Sequence, residues 1–147
     1  MLKKFLPFSF ALALCGMVIV GCEEDPASSG DESMKAEVNG DSWEANDITV
    51  QGDNSLVIEG AKGDGTSIVL TIPADAAVES HDLPSSSGFA ASYKADAQTA
   101  YVGLEGEITI NAISDTEVSG SFEFTGRNLA GTDSVDIDDG TFVAQIN

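Results

Sequence analysis

The sequence predicts an all-β fold, a single antiparallel β-sandwich or barrel-like domain over residues 34–147. Three observations predict it. Apolar side chains alternate with polar ones through this range, as they do on strands that bury one face. Turn sequences separate the alternating segments at spacings of about 8 to 12 residues, which is typical of antiparallel sandwiches and barrels. No window in the range has a sustained helical period.

The first half of the domain contains five alternating segments. Their apolar positions are Met34, Ala36 and Val38, then Trp43 and Ala45, Ile48 and Val50, Leu56 and Ile58, and Ile68, Leu70 and Ile72. Asn39-Gly40 predicts a two-residue hairpin turn, because both central residues of that turn need positive φ. Gly52-Asp53-Asn54 and Lys62-Gly63-Asp64-Gly65 predict further turns. Pro73 ends the last of these strands, since proline cannot donate to a sheet ladder.

The second half repeats the alternation. Its apolar positions are Ile108, Ile110 and Ala112, then Val118, Gly120, Phe122 and Phe124, then Val135 and Ile137, and finally Phe142, Ala144 and Ile146. Ser114-Asp115 predicts a turn between the first two groups. Asp138-Asp139-Gly140 has the composition of a hairpin turn, because aspartate side chains bond to nearby backbone in turns.

Residues 73–100 are the least regular part of the domain. Residues 80–88 predict an exposed loop, because serine, proline and glycine dominate there. Phe89, Ala91 and Tyr93 predict a weak strand, and residues 101–104 another. Loops on β scaffolds often carry binding functions, so this loop is a candidate binding region.

Residues 1–21 have the organisation of a signal peptide. Lys3 and Lys4 precede an apolar run over residues 5–20, which is short for a membrane span of about 20 residues. Ile19-Val20-Gly21-Cys22 resembles a bacterial lipobox. The resemblance implies diacylglyceryl transfer to the thiol of Cys22, cleavage before it, and acylation of the new amino terminus. The alternative is an uncleaved transmembrane anchor.

Acylation of Cys22 would make the membrane a partner of the protein through its lipid anchor, since each buried methylene contributes about 0.8 kcal/mol. Residues 22–33 are then a lipidated cysteine and a flexible acidic tether, too polar to bury a core. The acidic run after Cys22 also resembles the export signal of Bacteroidetes-type lipoproteins. That resemblance implies the outer membrane and a surface-exposed domain. Retention on the periplasmic side, with the run as a solvated spacer, is the alternative.

The C-terminal strands carry a second resemblance. Gly120-Ser121-Phe122-Glu123-Phe124, a polar loop, and Asp139-Gly140-Thr141-Phe142 resemble a domain-of-unknown-function family of small all-β Bacteroidetes-type lipoproteins. The segment from Val38 to Trp43 fits the aliphatic-Asn-Gly-x-x-Trp hairpin that often begins such domains. The resemblance covers most of residues 34–147, departs most over residues 73–101, and implies an all-β extracytoplasmic lipoprotein without known catalytic residues.

The charge balance excludes one class of partner. The chain has 25 acidic and 6 basic residues and a net charge of -19. Nucleic acid is therefore not expected as a partner, because binding it requires lysine and arginine to neutralise phosphates. Lys3 and Lys4 precede Cys22 and every acidic residue follows it, so the mature chain would be still more acidic. Cys15 would leave with the signal peptide, and the domain would then contain no disulfide and no thiol nucleophile.

Calcium is the one cofactor that the sequence raises, with Asp136, Asp138 and Asp139 as candidate ligands. An EF-hand does not fit, because Gly140 at the sixth loop position would place Val135 and Ile137 where ligands are needed. A looser carboxylate site is one interpretation of these aspartates. Ordinary turn chemistry is the favoured one.

His81, Asp82, Tyr93 and Tyr101 are the candidate ligand-binding residues. Asp82 beside His81 could orient an imidazole, but one histidine does not make the usual zinc site. The two tyrosines flank the irregular region and have a polar tip on an apolar ring. Trp43 lies in phase with Ala45 and is expected to pack in the core.

The sequence therefore predicts a non-enzymatic, lipid-anchored protein of the cell envelope, with a β-domain that binds an unknown envelope or extracellular ligand or has a structural role. A carbohydrate-active or other hydrolytic enzyme that uses paired carboxylates is the alternative. A calcium-stiffened adhesive module is a third possibility.

Overall fold

A computed structural model describes residues 31–147. Within that range the chain forms ten β-strands. They are β1 (Ser33–Val38), β2 (Asp41–Glu44), β3 (Asp47–Gln51), β4 (Ser55–Ala61), β5 (Ser67–Pro73), β6 (Ser80–Leu83), β7 (Ala90–Lys94), β8 (Ala100–Ile113), β9 (Glu117–Asn128) and β10 (Ser134–Gln145). The signal peptide, Cys22 and most of the predicted tether lie outside the described residues. In the described part of the chain, no helix has the length and apolarity to cross a membrane.

The strands form one antiparallel sheet in the order β2-β1-β10-β9-β8-β7-β5-β4-β3. The remaining strand, β6, pairs with β8. Because β9 covers the other edge of β8, strands β6 and β7 lie end to end along the same edge. The sheet curls into a half-barrel. The predicted all-β antiparallel fold is confirmed, in its barrel-like form.

The two ends of the sheet are joined by a link of two residues. Ala45 and Asn46 connect edge strand β2 to edge strand β3. The Ala45 amide donates to the Met34 carbonyl at 2.9 Å, and the Asn46 amide donates to the Ala61 carbonyl at 2.8 Å. Ala45 is therefore bonded to β1 and Asn46 to β4, so backbone hydrogen bonds hold the two ends of the sheet together at this point.

The inward face of the sheet forms the core. Its largest fully buried side chains are Met34, Ile58, Ile68, Leu70, Ile72, Ile108, Ile110, Val118, Ile137 and Phe142. All ten belong to the apolar positions of the predicted strands. Burial of each aliphatic or aromatic side chain contributes about 1.5–3 kcal/mol, so the alternation in the sequence is the main source of the fold's stability. The turn at Asn39-Gly40 has φ values of 51° and 84°, as the hairpin prediction requires.

Two predicted features differ in the structure because β-bulges interrupt long strands. Ala112 is exposed, although Ile108 and Ile110 are buried, because the register between β8 and β9 shifts between Ile110 and Ala112. An extra residue turns the following side chain to the opposite face. The Asp138-Asp139-Gly140 hairpin was also a wrong prediction. These residues lie inside β10, where the register shifts between Ile137 and Gly140.

The predicted loop over residues 80–88 contains a strand. Ser80–Leu83 forms β6 and pairs with Gly106–Thr109 of β8. Leu83 is buried, and the Ser80 and Thr109 hydroxyls lie 2.6 Å apart across the pair. The segment has only four residues, too few for a period of two to identify it against serine and proline neighbours.

Candidate functional site

Tyr93 and Tyr101, two of the predicted ligand-binding residues, lie side by side in the core. They occupy opposing positions on β7 and β8, with ring centroids 6.2 Å apart. Their exposed fractions are 8% and 9%. The Tyr101 hydroxyl donates to Asp133 Oδ2 at 2.8 Å, across the loop between β9 and β10. In this structure the pair packs the sheet and anchors a loop instead of presenting rings to solvent.

The environment of both phenols favours their neutral form. Burial raises the pKa of Tyr93 above its usual 10.0, and the nearby Asp64 carboxylate adds to the effect. The pKa of Tyr101 is also raised from 10.0, mainly because its hydrogen bond to Asp133 needs the protonated phenol. Neither group is poised as a base near neutral pH.

His81 and Asp82 lie on β6 and face opposite sides of the sheet. The His81 ring stacks on Phe89 with centroids 3.9 Å apart. Its Nε2 lies 3.0 Å from the Ala77 carbonyl oxygen, so Nε2 carries the hydrogen and donates. Asp82 is exposed and stands directly opposite Glu107.

The four predicted ligand-binding residues therefore do not form one site. His81 stands opposite Ile108 on β8, whereas Tyr93 stands opposite Tyr101, near the start of that strand. At a rise of about 3.3 Å per residue these positions are roughly 20 Å apart.

The three candidate calcium ligands are also not gathered into a metal site. Within residues 31–147, no group of three or more carboxylate, histidine or cysteine side chains is arranged to hold a metal. Asp136 instead accepts a hydrogen bond from the Thr125 hydroxyl at 2.9 Å, and its amide donates to Asn39 Oδ1. Asp138 stands opposite Glu37 of β1. Asp139 has a φ of 48°, which belongs to the bulge.

Trp43 packs in the core, as predicted, with 5% of its surface exposed. Its indole Nε1 donates to Thr66 Oγ1 at 2.8 Å, in the turn between β4 and β5. The Thr66 hydroxyl in turn donates to Asp64 at 2.7 Å. The indole thus links edge strand β2 to a turn at the far end of the sheet order, and it reinforces the Ala45-Asn46 link.

A groove crosses the outer face of β8, β9 and β10. This outer-face groove has a volume of about 390 Å³. It is lined by Glu107, Thr109, Ser121, Phe122, Glu123, Asp139, Gly140 and Thr141. Glu107 opposes Glu123 on β9 and Asp82 on β6. Three carboxylates therefore stand side by side across three strands, an arrangement that lowers stability because like charges directly opposite repel.

A second cavity opens at one end of the half-barrel. This end cavity has a volume of about 260 Å³. It is lined by Gly52, Asp53, Leu56, Ala74, Ile113, Ser114, Asp115, Ile146 and Asn147. Its lining comes from the β3–β4 turn, the end of β5, the β8–β9 turn and the end of β10. Ligand sites often lie in the mouths of β-barrels, between apolar walls and a few polar groups. Sequence reasoning missed this site, because its walls come from four segments far apart in the chain.

Two exposed aspartates, Asp53 and Asp115, line the end cavity. Asp64 and Asp96 accept hydrogen bonds from backbone amides of their own turns. The hydrogen bond from the Thr66 hydroxyl, followed by the one from the Thr66 amide, lowers the pKa of Asp64 from its usual 3.8, and the Gln98 and Thr99 amides lower the pKa of Asp96. Among the described residues, Asp53 and Asp115 accept no hydrogen bond and form no ion pair. In the β8–β9 turn the Ser114 hydroxyl bonds the Thr116 and Glu117 amides instead.

Comparison with known proteins identifies a family model that matches the chain. The family model described as "Domain of unknown function (DUF6252)" matches residues 30–145. No curated protein and no solved structure matches the chain.

Proposed function

Because the chain belongs to the DUF6252 family of domains of unknown function, we propose its function from its own residues. The protein is a lipid-anchored lipoprotein of the cell envelope, exposed at the surface of the outer membrane. Its β-domain has a non-enzymatic binding or structural role.

The observation that carries this proposal is the N-terminal sequence. Lys3 and Lys4, the apolar run over residues 5–20, and the lipobox-like Ile19-Val20-Gly21-Cys22 follow one another in the order that lipoprotein export requires. The first strand, β1, begins at Ser33. Ten residues separate Cys22 from Ser33, and a chain spans at most about 3.6 Å per residue, so acylation would hold the domain close to the membrane.

The positions of the chemically active side chains support a non-enzymatic role. Tyr93 and Tyr101 are buried against each other, and Trp43 is bonded to Thr66. The His81 ring is stacked on Phe89. Each of these groups is held in a contact that stabilises the sheet.

Labelling of cells with a radioactive fatty acid tests the anchor. The wild-type chain should incorporate label and sediment with membranes, and Cys22→Ala should do neither, while Cys15→Ala behaves as wild type. Proteinase added to intact cells should then remove the domain. Label on the Cys22→Ala chain would contradict the anchor. Full protection with an intact anchor would place the domain on the periplasmic side.

A hydrolytic enzyme is the second candidate, and one observation favours it. Glu107 and Glu123 stand directly opposite each other in the outer-face groove. Opposing Cβ atoms are about 4.5–5.5 Å apart, so the two flexible glutamate side chains can place their carboxyl groups at the separation of about 5–9.5 Å that glycosidases use. A panel of glycans should show hydrolysis that Glu107→Gln and Glu123→Gln each abolish. A panel without any hydrolysis would end this candidate.

A further inference from the structure

The turn between β1 and β2 holds two residues that can react with each other. Asn39 is the one asparagine of the sequence that is followed by glycine. In such a pair the glycine nitrogen can attack the side-chain amide carbon of the asparagine, because glycine has no side chain to hinder the approach. Asn39 and Gly40 are both exposed, and nothing lies within 4 Å of the position that a Gly40 side chain would take. Water therefore reaches both residues.

The geometry of the turn keeps the two reacting atoms apart. Val38 stands opposite Asp41, and φ is 51° at Asn39 and 84° at Gly40, so the two central residues form a type I′ turn. The first central residue of that turn has a ψ of about +30°. At this ψ the Gly40 nitrogen lies nearly anti to Asn39 Cβ, whereas closure of a five-membered ring needs the two atoms nearly eclipsed. Ring closure therefore requires a large rotation of the backbone at Asn39.

Two hydrogen bonds to β10 oppose that rotation. The Asn39 amide donates to the Asp136 carbonyl at 2.8 Å. The Asp136 amide donates to Asn39 Oδ1 at 2.9 Å. The first bond holds the backbone of Asn39, and the second holds its side chain. In the described part of the chain the Gly40 N–H has no hydrogen-bond partner, so the turn and its bonds to Asp136 restrain the reaction, and no bond to the nucleophile does.

We propose that Asn39 is a deamidation site that reacts when the β1–β2 hairpin opens locally and the bonds to Asp136 break. The Gly40 nitrogen forms a bond to Asn39 Cγ, the bond from Cγ to Nδ2 breaks, and Nδ2 leaves as ammonia with the proton from the Gly40 amide. Water then opens the cyclic imide at either carbonyl and gives aspartate or isoaspartate. Because local opening precedes the chemistry, the population of the open hairpin sets the rate in the folded protein.

The isoaspartate product forms in the hairpin that leads to the link between the two ends of the sheet. It adds one methylene to the main chain of a two-residue turn, so Val38 and Asp41 lose their register. Strand β2 continues from this turn to Ala45 and Asn46, which are bonded to β1 and β4. The modified domain should therefore unfold at a lower denaturant concentration than the unmodified one.

Incubation of the full chain in a non-ionic detergent at mildly alkaline pH, followed by peptide mapping with mass spectrometry, tests the proposal. Asn39 should deamidate in the folded chain roughly tenfold or more slowly than in the same chain in denaturing guanidinium, because the open hairpin is a minor population. Asn54, Asn111 and Asn128 precede serine, alanine and leucine and serve as internal references. In guanidinium Asn39 should react faster than all three.

Two variants separate opening of this hairpin from unfolding of the whole domain. Trp43→Phe weakens β2, because it removes the hydrogen bond to Thr66. Leu83→Ala removes a buried side chain from β6, which pairs with β8 and not with the hairpin. After correction for the fraction of globally unfolded chain, measured by urea denaturation, Trp43→Phe should speed deamidation of Asn39 and Leu83→Ala should not.

Three results would overturn the proposal. Equal rates in the folded and denatured chains would remove the protection by the turn. Absence of deamidation at Asn39 in guanidinium would remove the site. Equal corrected acceleration by Trp43→Phe and Leu83→Ala would remove the hairpin as the element that controls the rate. None of these results depends on Cys22, so failure here is distinguishable from failure of the lipid anchor.

Discussion

Reversal of one charge on β8 should stabilise the protein. Glu107 lies between Asp82 on β6 and Glu123 on β9, and both opposing residues are acidic. Directly opposite like charges on a sheet are destabilising, and opposite charges contribute about 0.2–1 kcal/mol. Glu107→Lys turns two repulsive pairs into two attractive pairs. The free energy of unfolding should therefore rise.

The size of this gain can be worked from the two neighbours. All three side chains are at least partly exposed, so solvent screening puts each pair at the low end of the range. We take about 0.3 kcal/mol for each repulsion removed and the same for each attraction gained. Glu107→Lys should then gain about 1.2 kcal/mol, and Glu107→Gln, which only removes repulsion, about 0.6 kcal/mol.

Urea denaturation at low salt measures these values, and Glu59→Lys is the matched control. Glu59 faces outward on β4 between Thr49 and Val69, which carry no charge. Glu59→Lys makes the same change in net charge as Glu107→Lys, but no carboxylate stands opposite it. Any stability gained from the lower overall charge therefore appears in both variants. In about 1 M salt, where the screening length is about 3 Å, the advantage of Glu107→Lys should shrink. Equal gains from Glu107→Lys and Glu59→Lys, or a gain unchanged by salt, would refute the cross-strand repulsion.

Three further perturbations test other parts of the fold. Trp43→Phe should lower the free energy of unfolding by about 2 kcal/mol, because the hydrogen bond to Thr66 and part of the packing are lost; Thr66→Ser, which keeps the hydroxyl, should stay within about 0.5 kcal/mol of wild type in the same urea titration. Gly120→Ala should cost about 1–3 kcal/mol, since a Cβ there would meet backbone of β8 and the Phe142 ring at 3.0 Å; Gly63→Ala, with its nearest atom at 3.5 Å, should cost far less. The pKa of Tyr101 is raised above 10.0, so its contribution to stability is complete below pH 10 and is lost as pH rises through the raised value. Absorbance titration of the phenols should show both tyrosines titrating above pH 10, and Tyr101→Phe should lose less stability than wild type on going above that pH.

The strands were predictable because each carries its own signal. The ten largest fully buried side chains were among the predicted apolar positions, since a period of two forces alternate residues onto one face. The Asn39-Gly40 turn was predictable for the same local reason, because few residues tolerate its backbone angles. A bulge has no comparable signal. Exposure of Ala112 depends on how β9 pairs with β8, and the sequence of β8 alone does not record it.

The candidate site was less predictable than the fold. Tyr93 and Tyr101 were singled out for their chemistry and are close together, but the curl of the sheet buries both. The end cavity was not predicted, although its turns were. Asp53 and Asp115 are ordinary turn residues in sequence, and only the folded sheet shows that both line one cavity.

The sequence by itself determined the all-β class and the inward face of most strands, because these follow from local periodicity and turn chemistry. The tertiary structure alone decided that one sheet curls and joins its ends through Ala45 and Asn46, that Asp138–Gly140 is a bulge, and that Ile113 and Ile146 line the same cavity as Leu56. Those outcomes depend on pairing between strands distant in the chain. The free energy of such pairings depends on contacts across the whole sheet, and it cannot be read from any short segment of the sequence.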